Sequence, residues 1–137
     1  MWRELEFISN RLDGTTKVYN TDGDLIEEIE YKNSLKHGMS IEYSNVKREI
    51  PYIDGKKEGN ELHYQNGQLI SETMYKNGKK NGEHKQYHKD GKIWTEESYK
   101  DGKKDGYHRL ILEDGELLFE HLYKDGERVL EREVVEE

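Results

Sequence analysis

Apolar and polar residues alternate in short runs along this chain, and glycine-containing dipeptides separate the runs at regular intervals. For example, Leu110 and Leu112 occupy alternate positions before Asp114-Gly115, and Leu117 and Phe119 occupy alternate positions after it. Alternation with a period of two is typical of β-strands, and Asp-Gly or Asn-Gly between two such runs is the strongest short signal for a β-hairpin. The runs are too short for helices, so the pattern predicts an all-β chain.

The alternation is organised into a repeat. The segment that begins at Tyr75 and ends at Gly82, YKNGKKNG, returns 24 residues later as YKDGKKDG between Tyr99 and Gly106. We divide residues 1–137, as a single repeat domain, into a half repeat 2–7, repeats 8–31, 32–52, 53–75, 76–99 and 100–123, and a C-terminal cap 124–137. Incomplete units at both ends are typical of capping repeats.

Each hairpin has a register that the turn predicts. With a two-residue turn at Asp114-Gly115, antiparallel pairing places Gly106 opposite Tyr123. Equivalent turns give the pairs Gly82–Tyr99 and Gly14–Tyr31. Since a glycine inside a strand usually marks a close approach, we expect each tyrosine ring to lie over the bare backbone of its glycine. The fold predicted is an elongated single-layer antiparallel β-meander of repeated hairpins, with about twelve short strands.

The composition limits the core that this sheet can have. Hydrophobic residues make up 31% of the chain and charged residues 38%, and the mean hydropathy is -1.19. These values are too polar for a thick two-layer core and would also suit a disordered chain. Ten Tyr, two Trp and two Phe at regular positions, with a single Pro, argue for an ordered but thin structure.

Charge and cysteine content narrow the function. The net charge of -8 argues against general binding to nucleic acid or anionic membranes. The absence of cysteine excludes disulfides, thiol nucleophiles and thiolate metal sites. The stretch 1–7 has no apolar run typical of a signal peptide, which favours a cytoplasmic location.

The motif Tyr-x-(Asp/Asn)-Gly-Lys-x-x-Gly, followed by a tyrosine, a turn glycine and an acidic strand, resembles MORN repeats. It is most similar to the bacterial YwqK-type, antitoxin-like variant. The resemblance covers residues 2 to about 128; the second repeat departs most, because it lacks the turn glycine and contains Pro51, so stacking should be least regular there. The resemblance implies an elongated β array that binds a partner. In this bacterial group the role is the antitoxin side of a toxin–antitoxin pair, and in eukaryotic relatives it is protein scaffolding or membrane attachment.

Paired lysines beside the tight turns are the first candidate binding feature. Lys56-Lys57, Lys79-Lys80 and Lys103-Lys104 occupy equivalent positions in three successive repeats. Stacking predicts a ridge with pairs roughly 10 Å apart, suited to anionic lipid or an acidic protein segment. Alternatively, these lysines only maintain solubility and block edge pairing. The opposite edge is predicted to be acidic, through Asp22, Asp24, Asp90, Asp114 and Glu116.

Aromatic and acidic residues give two more candidates. Aromatic side chains are favoured interface anchors, and those predicted on the face away from the Tyr–Gly pairs, together with one leucine, are Tyr64, Tyr87, Trp94, Tyr107 and Leu118. If the sheet curls, this face is instead its own core. Strand carboxylates form either a stripe for a basic partner or a solvated face; they are Glu27, Glu28, Glu49, Glu72, Glu96, Glu97 and Glu120.

The sequence predicts no catalytic, cofactor or metal site. The histidines match no metal motif; they are His37, His63, His84, His88, His108 and His121, of which His108 and His121 should form a cross-strand pair. Acid–base catalysis needs a desolvated, positioned pair of groups, which a thin open sheet rarely provides. We therefore expect a non-enzymatic module that binds another protein, antitoxin-like by resemblance. The alternative is a membrane-surface module using the lysine ridge, and the terminal strands leave an edge-strand homodimer open.

Overall fold

The computed structural model describes residues 1–130, so the last seven residues of the predicted C-terminal cap lie outside the described residues. Within residues 1–130 every regular element is a β-strand. The strands are β1 Trp2–Glu4, β2 Phe7–Ile8, β3 Arg11–Leu12, β4 Gly14–Tyr19, β5 Leu25–Lys32, β6 Leu35–Glu42, β7 Lys47–Ile53, β8 Lys56–Lys57, β9 Gly59–Gln65, β10 Gln68–Lys76, β11 Lys79–Tyr87, β12 Ile93–Lys100, β13 Lys103–Ile111, β14 Leu117–Lys124 and β15 Glu127–Val129. This part of the chain contains no helix able to cross a membrane.

The strands form a single-layer antiparallel meander, as predicted. One 13-stranded sheet has the order β1-β4-β5-β6-β7-β9-β10-β11-β12-β13-β14-β15, with β8 paired to β7, while β2 and β3 form a two-stranded ribbon. Breaks of one or two residues, at 5–6, 13 and 58, separate β1 from β2, β3 from β4 and β8 from β9. If each broken strand is counted once, the fifteen strands become the twelve that the repeat predicts.

The predicted register is confirmed over the body of each hairpin. Gly106 pairs with Tyr123, and the other two predicted pairs, Gly82–Tyr99 and Gly14–Tyr31, are also present. At the hairpin tip the prediction of a two-residue turn is wrong. The Leu112 N–H donates to the Glu116 carbonyl (2.8 Å), and Leu118 is an extra residue between two register pairs. A three-residue loop that ends with a glycine at positive φ is commonly joined to such a bulge.

The position that a side chain on each repeat glycine would occupy lies against a residue other than the paired tyrosine, and the contact of the tyrosine ring with the glycine backbone stays a prediction. Gly106 has a φ of +109°, and a Cβ built on it would lie 2.9 Å from the Cβ of Ser98. A Cβ on Gly82 would lie 3.1 Å from Met74 Cγ. Ser98 and Met74 precede the repeat tyrosines Tyr99 and Tyr75, at positions where the register shifts. The glycine is therefore required by its own left-handed backbone and by a bulge on its own strand, where three residues lie opposite one residue of the preceding strand.

The nine buried residues of the described chain all lie on one face, which we call the tyrosine face because it carries the repeat tyrosines. Only Val18, Ile29 and Ile50 are apolar. The six buried polar residues are Thr16, Ser40, Glu61, Ser71, Thr73 and Thr95. A single layer buries a residue only when neighbours on the same face close over it, so this face is the concave one. Small side chains fit between larger neighbours there, which explains how so polar a chain folds.

The second repeat stacks as regularly as its neighbours, contrary to expectation. Pro51 precedes Tyr52 and so lies opposite the bulge of the following strand, at the position equivalent to Met74. Toward the next strand, Tyr52 pairs with Lys57 and Glu49 with Leu62, and the register shifts between these pairs, as it does in the third repeat. A proline is tolerated at a bulge because the ladder is already interrupted there.

Candidate functional site

The two lysines of each pair have different surroundings. Lys80 Nζ lies 4.9 Å from the ring centroid of Tyr99, and Lys104 Nζ lies 4.9 Å from that of Tyr123. The equivalent pairs are Lys36–Tyr52 at 5.0 Å and Lys57–Tyr75 at 4.7 Å. These are cation–π contacts. The second lysine of each Lys-Lys pair is therefore held against a tyrosine ring of the same sheet. Lys79 and Lys103 are exposed, so the surface ridge contains the first lysine of each pair.

The exposed lysines are joined by others that the ridge prediction left out. Lys76 pairs directly with Lys79 across one tight turn, and Lys100 pairs with Lys103 across the next. All four side chains are exposed, and Asp101 is the acidic residue in these two turns. We call these four residues the lysine edge. Like charges directly opposite each other repel, so a bound anion would relieve the repulsion.

The opposite edge is acidic only at its two ends. Of the predicted residues, Asp22 and Asp24 lie in the first loop, and Asp114 and Glu116 lie in the last. In between, Asp90 has lysines on both sides in its loop, and the loops 43–46 and 66–67 carry no carboxylate. A uniform charge polarity across the width of the sheet is therefore not present.

The tyrosine face contains a cluster of titratable groups around Glu97. The Tyr99 hydroxyl donates to Glu97 Oε2 (2.5 Å), while His108 Nε2 lies 3.1 Å and Lys104 Nζ 4.0 Å from Glu97 Oε1. Burial alone would raise the pKa of Glu97, but the Tyr99 hydrogen bond and the charges of His108 and Lys104 lower it overall. Burial and the bond to Glu97 raise the pKa of Tyr99. Glu97 is thus held as a carboxylate.

Two histidines of this face have depressed pKa values. Burial, with a contribution from Lys80, lowers the pKa of His84, whose Nδ1 lies 2.7 Å from Thr73 Oγ1. Burial also lowers the pKa of His108 and outweighs the attraction of Glu97. The buried Nδ1 of His108 has no hydrogen-bond partner among the described residues. The predicted cross-strand pair of His108 with His121 is present.

A second carboxylate is buried at Glu61, which the sequence reasoning missed. Lys57 Nζ and His63 Nε2 each lie 2.6 Å from one of its oxygens. Burial would raise the pKa of Glu61, but these two partners lower it overall. The burial of Glu61 depends on the strand register, which places it opposite Thr73 on the tyrosine face. That register is the signal that could have identified it. Within residues 1–130 no three His, Asp or Glu side chains are arranged to hold a metal ion.

The opposite side of the sheet, the outer face, carries a row of acidic residues. Following the register from strand to strand, its carboxylates are Glu4, Glu28, Glu49, Glu72, Glu96 and Glu120, and its cations are Lys17, Lys85 and Arg109. Arg109 bridges Glu120 at 2.6 Å and Glu96 at 3.4 Å. Glu27 and Glu97, also predicted for the stripe, lie on the tyrosine face instead.

The predicted aromatic candidates do not share one face. Tyr107 is 43% exposed and lies on the outer face, opposite Leu122, and Tyr64 lies on that face beside Lys47. Trp94 is 42% exposed and lines a cleft with residues of the tyrosine face. The bulge at Trp94, between two register pairs, shifts the alternation by one residue and brings this side chain to the other face.

Leu118 occupies the equivalent bulge position one repeat later, and Tyr87 lies at the end of its strand beside the Trp94 cleft. Two open clefts flank the hairpin tip at Asn66-Gly67, with volumes of about 770 Å³ and 580 Å³. Tyr64 lines the larger cleft, and Trp94 lines the smaller one. Three of the five candidates, Tyr64, Tyr87 and Trp94, therefore line these two clefts.

Comparison with known families agrees with this repeat geometry. Residues 12–33, 57–77 and 80–101 match the model of a family described as MORN repeat variant. Each matched segment spans one hairpin and ends at the first residue of the tight turn after it, and the three fall in the first, third and fourth repeats. A search of curated proteins found no match.

Proposed function

This chain belongs to the MORN repeat variant family, and on that premise we propose that it is a non-enzymatic module that binds another protein in an antitoxin-like role. The observation that carries the proposal is the outer face, which no second layer covers within residues 1–130. It extends over every repeat, and it presents an acidic row together with Tyr107 and Tyr64. Repeat proteins use such continuous surfaces to bind extended partners.

The charges on the outer face indicate the charge that a partner should have. Six carboxylates and three cations occupy its central row, so a complementary partner is basic and meets the sheet face to face. Arg109 is held between Glu96 and Glu120, and Lys47 lies 3.3 Å from Glu49. Glu4, Glu28 and Glu72 have no salt bridge among the described residues. Binding across this surface would mask the partner sterically, which is the antitoxin-like mechanism.

The paired carboxylates of the tyrosine face support a non-enzymatic role. A general acid or base that works near neutral pH needs a pKa near 7. Glu61 and Glu97 have pKa values lowered below the ordinary glutamate value of 4.5 by hydrogen bonds and nearby cations. Both groups are therefore structural anions of the sheet.

The test is capture of partners from a lysate of the source cell by the tagged chain, at low and high salt, followed by calorimetry with the purified partner. The variant Glu28→Gln/Glu49→Gln/Glu72→Gln should weaken binding and reduce its salt dependence. A matched variant that removes two loop charges, Asp22→Asn/Asp114→Asn, should bind as the parent does. Equal affinity of all three proteins would overturn the assignment to the outer face.

The antitoxin role needs its own measurement. The captured partner is expressed alone and together with this chain, and growth of the host is compared. Arrest that is relieved by the chain, but not by its Glu28→Gln/Glu49→Gln/Glu72→Gln variant, supports the role. A partner that is harmless when expressed alone removes the antitoxin role and leaves protein binding intact.

The lysine edge favours a second candidate function, association with an anionic lipid surface. Its four exposed cations lie at adjacent turns with one intervening carboxylate, Asp101. Vesicles containing phosphatidylserine should then sediment the chain at low salt. Replacing Lys76, Lys79, Lys100 and Lys103 by Gln should abolish sedimentation, whereas Lys89→Gln/Lys92→Gln on the opposite edge should not. No sedimentation of the parent would exclude this candidate.

A further inference from the structure

The smaller of the two clefts has a composition unlike the rest of the molecule. It lies between the tips of the third and fourth repeats and has a volume of about 580 Å³. All three glutamines of the chain, Gln65, Gln68 and Gln86, line it, together with Trp94. Lys89 is the one Lys, Arg, Asp or Glu among its lining residues, in a chain that is 38% charged. The cleft is therefore a neutral, amide-rich site of the size that small ligands occupy.

The fold does not require the tryptophan. The equivalent bulge positions of other repeats carry the aliphatic residues Ile26, Ile70 and Leu118. Trp94 is 42% exposed, and its closest aromatic neighbour is His88, with ring centroids 5.9 Å apart. A large apolar ring is thus presented to a polar cleft, as in sites that stack a flat, partly apolar ligand.

The polar groups of the cleft are held in place and retain free bonding capacity. Gln86 Oε1 accepts a hydrogen bond from Thr95 Oγ1 (3.0 Å), which leaves the amide NH₂ free to donate. Gln68 donates its NH₂ to the Lys89 carbonyl, which leaves its side-chain oxygen free to accept. His88 Nε2 bonds to the Ile111 carbonyl (2.7 Å), so its Nδ1 is an acceptor. Donors and acceptors that converge beside an aromatic ring match hydroxyl groups, because each hydroxyl both donates and accepts.

Other ligand classes fit less well. Strands β10, β11 and β12 are each paired on both sides, so an extended peptide has no free strand edge to join at this cleft. One lysine is too little positive charge for a phosphate-rich ligand. We propose that the cleft binds a neutral saccharide, with a sugar ring against Trp94 and hydroxyls bonded to Gln68, Gln86 and His88. The site is separate from the outer face and does not depend on the proposed protein partner.

The test uses the fluorescence of Trp94. In a Trp2→Phe background Trp94 is the single tryptophan, and the aromatic stack of residue 2 with Tyr19 is kept. The probes are glucose, galactose, mannose, N-acetylglucosamine and their disaccharides, with glucuronate and inorganic phosphate as charged comparisons. We expect a saturable change in emission with at least one neutral sugar and none with the charged probes.

Variants of the cleft identify the site. Gln86→Ala should weaken the affinity for the sugar roughly three- to tenfold, as expected for the loss of one hydrogen bond. Trp94→Leu, which restores the residue type of the next repeat, should abolish binding measured by calorimetry. Leu118→Ala is the matched control and should bind as the parent does. The proposal is overturned if no neutral sugar gives a saturable change with folded protein, if Trp94→Leu binds normally, or if the charged probes bind better.

Discussion

At the scale of single residues, glycines at two kinds of position carry different constraints. Gly91, in a hairpin loop, has a φ of +87° and open space around its Cα. Gly106, inside strand β13, has a φ of +109° and Ser98 close against it. Both positions need a left-handed backbone, but only Gly106 also needs the absence of a side chain. The repeat motif places its second glycine where these two requirements coincide.

Alanine substitutions at these two glycines should separate the constraints. Gly91→Ala should lower the free energy of unfolding by about 1–2 kcal/mol, because alanine is strained at positive φ. Gly106→Ala should lower it by roughly 2–4 kcal/mol, since the new methyl group also meets Ser98. Urea denaturation of both variants measures the difference. Equal losses would show that the approach of Ser98 is unimportant.

Titration of the tyrosine face should make the protein acid-sensitive in two steps. The folded-state pKa values of His84 and His108 lie below the ordinary value of 6.5, so the unfolded chain binds more protons and stability falls as the pH drops below 6.5. The folded-state pKa values of Glu61 and Glu97 lie below the ordinary value of 4.5, so stability falls again as the pH drops below 4.5. Thermal unfolding from pH 8 down to about 3 should show both losses, and His84→Gln/His108→Gln should remove the first. A melting temperature that rises between pH 7 and 5 would contradict this.

At the scale of elements, a lysine and a tyrosine on the concave face join the two strands of each hairpin, and the backbone of the same lysine bonds to the next tight turn. The carbonyl of Lys80 accepts the N–H of Gly102 from the adjacent turn (2.8 Å), while its ammonium lies over Tyr99. The same backbone bond joins Lys104 to the turn at Gly126. The motif lysines are therefore part of the inter-repeat contact, which the alternation of apolar residues alone does not reveal.

The neighbouring lysines Lys79 and Lys80 provide a matched comparison. Lys80→Met should destabilise the fold by about 0.5–1 kcal/mol through loss of the cation–π contact, while Lys79→Met should have little effect. A double-mutant cycle of Lys80→Met with Tyr99→Leu should recover a coupling energy of similar size. A coupling near zero would show that the ammonium is fully solvated and that the ring contact contributes nothing.

At the scale of the whole molecule, stability comes from contacts between adjacent strands, because no second layer covers the sheet within residues 1–130. Twelve strands spaced by ~4.8 Å make an array of roughly 50 Å. A chain with few apolar residues can fold in this way since small polar side chains are buried between larger neighbours on the concave face. The same thinness leaves both faces and both edges open to ligands.

Small-angle X-ray scattering should report this shape. A compact domain of this length has a radius of gyration of about 14 Å, and the extended sheet should exceed that value clearly. Light scattering on the same sample gives the mass and shows whether exposed edge strands pair two copies. A monomer with a radius near the compact value would contradict the extended array.

By itself the sequence determined the repeat, the antiparallel hairpins and the register between Gly106 and Tyr123, because strand alternation and turn residues are local properties. Tertiary structure alone decided what lies against each glycine, which lysine of a pair is exposed, and that Trp94 joins the glutamines in one cleft. Each of these depends on β-bulges such as that at Trp94, where one extra residue turns a side chain to the other face. A bulge arises from the pairing of two strands, so the alternation along either strand does not contain it.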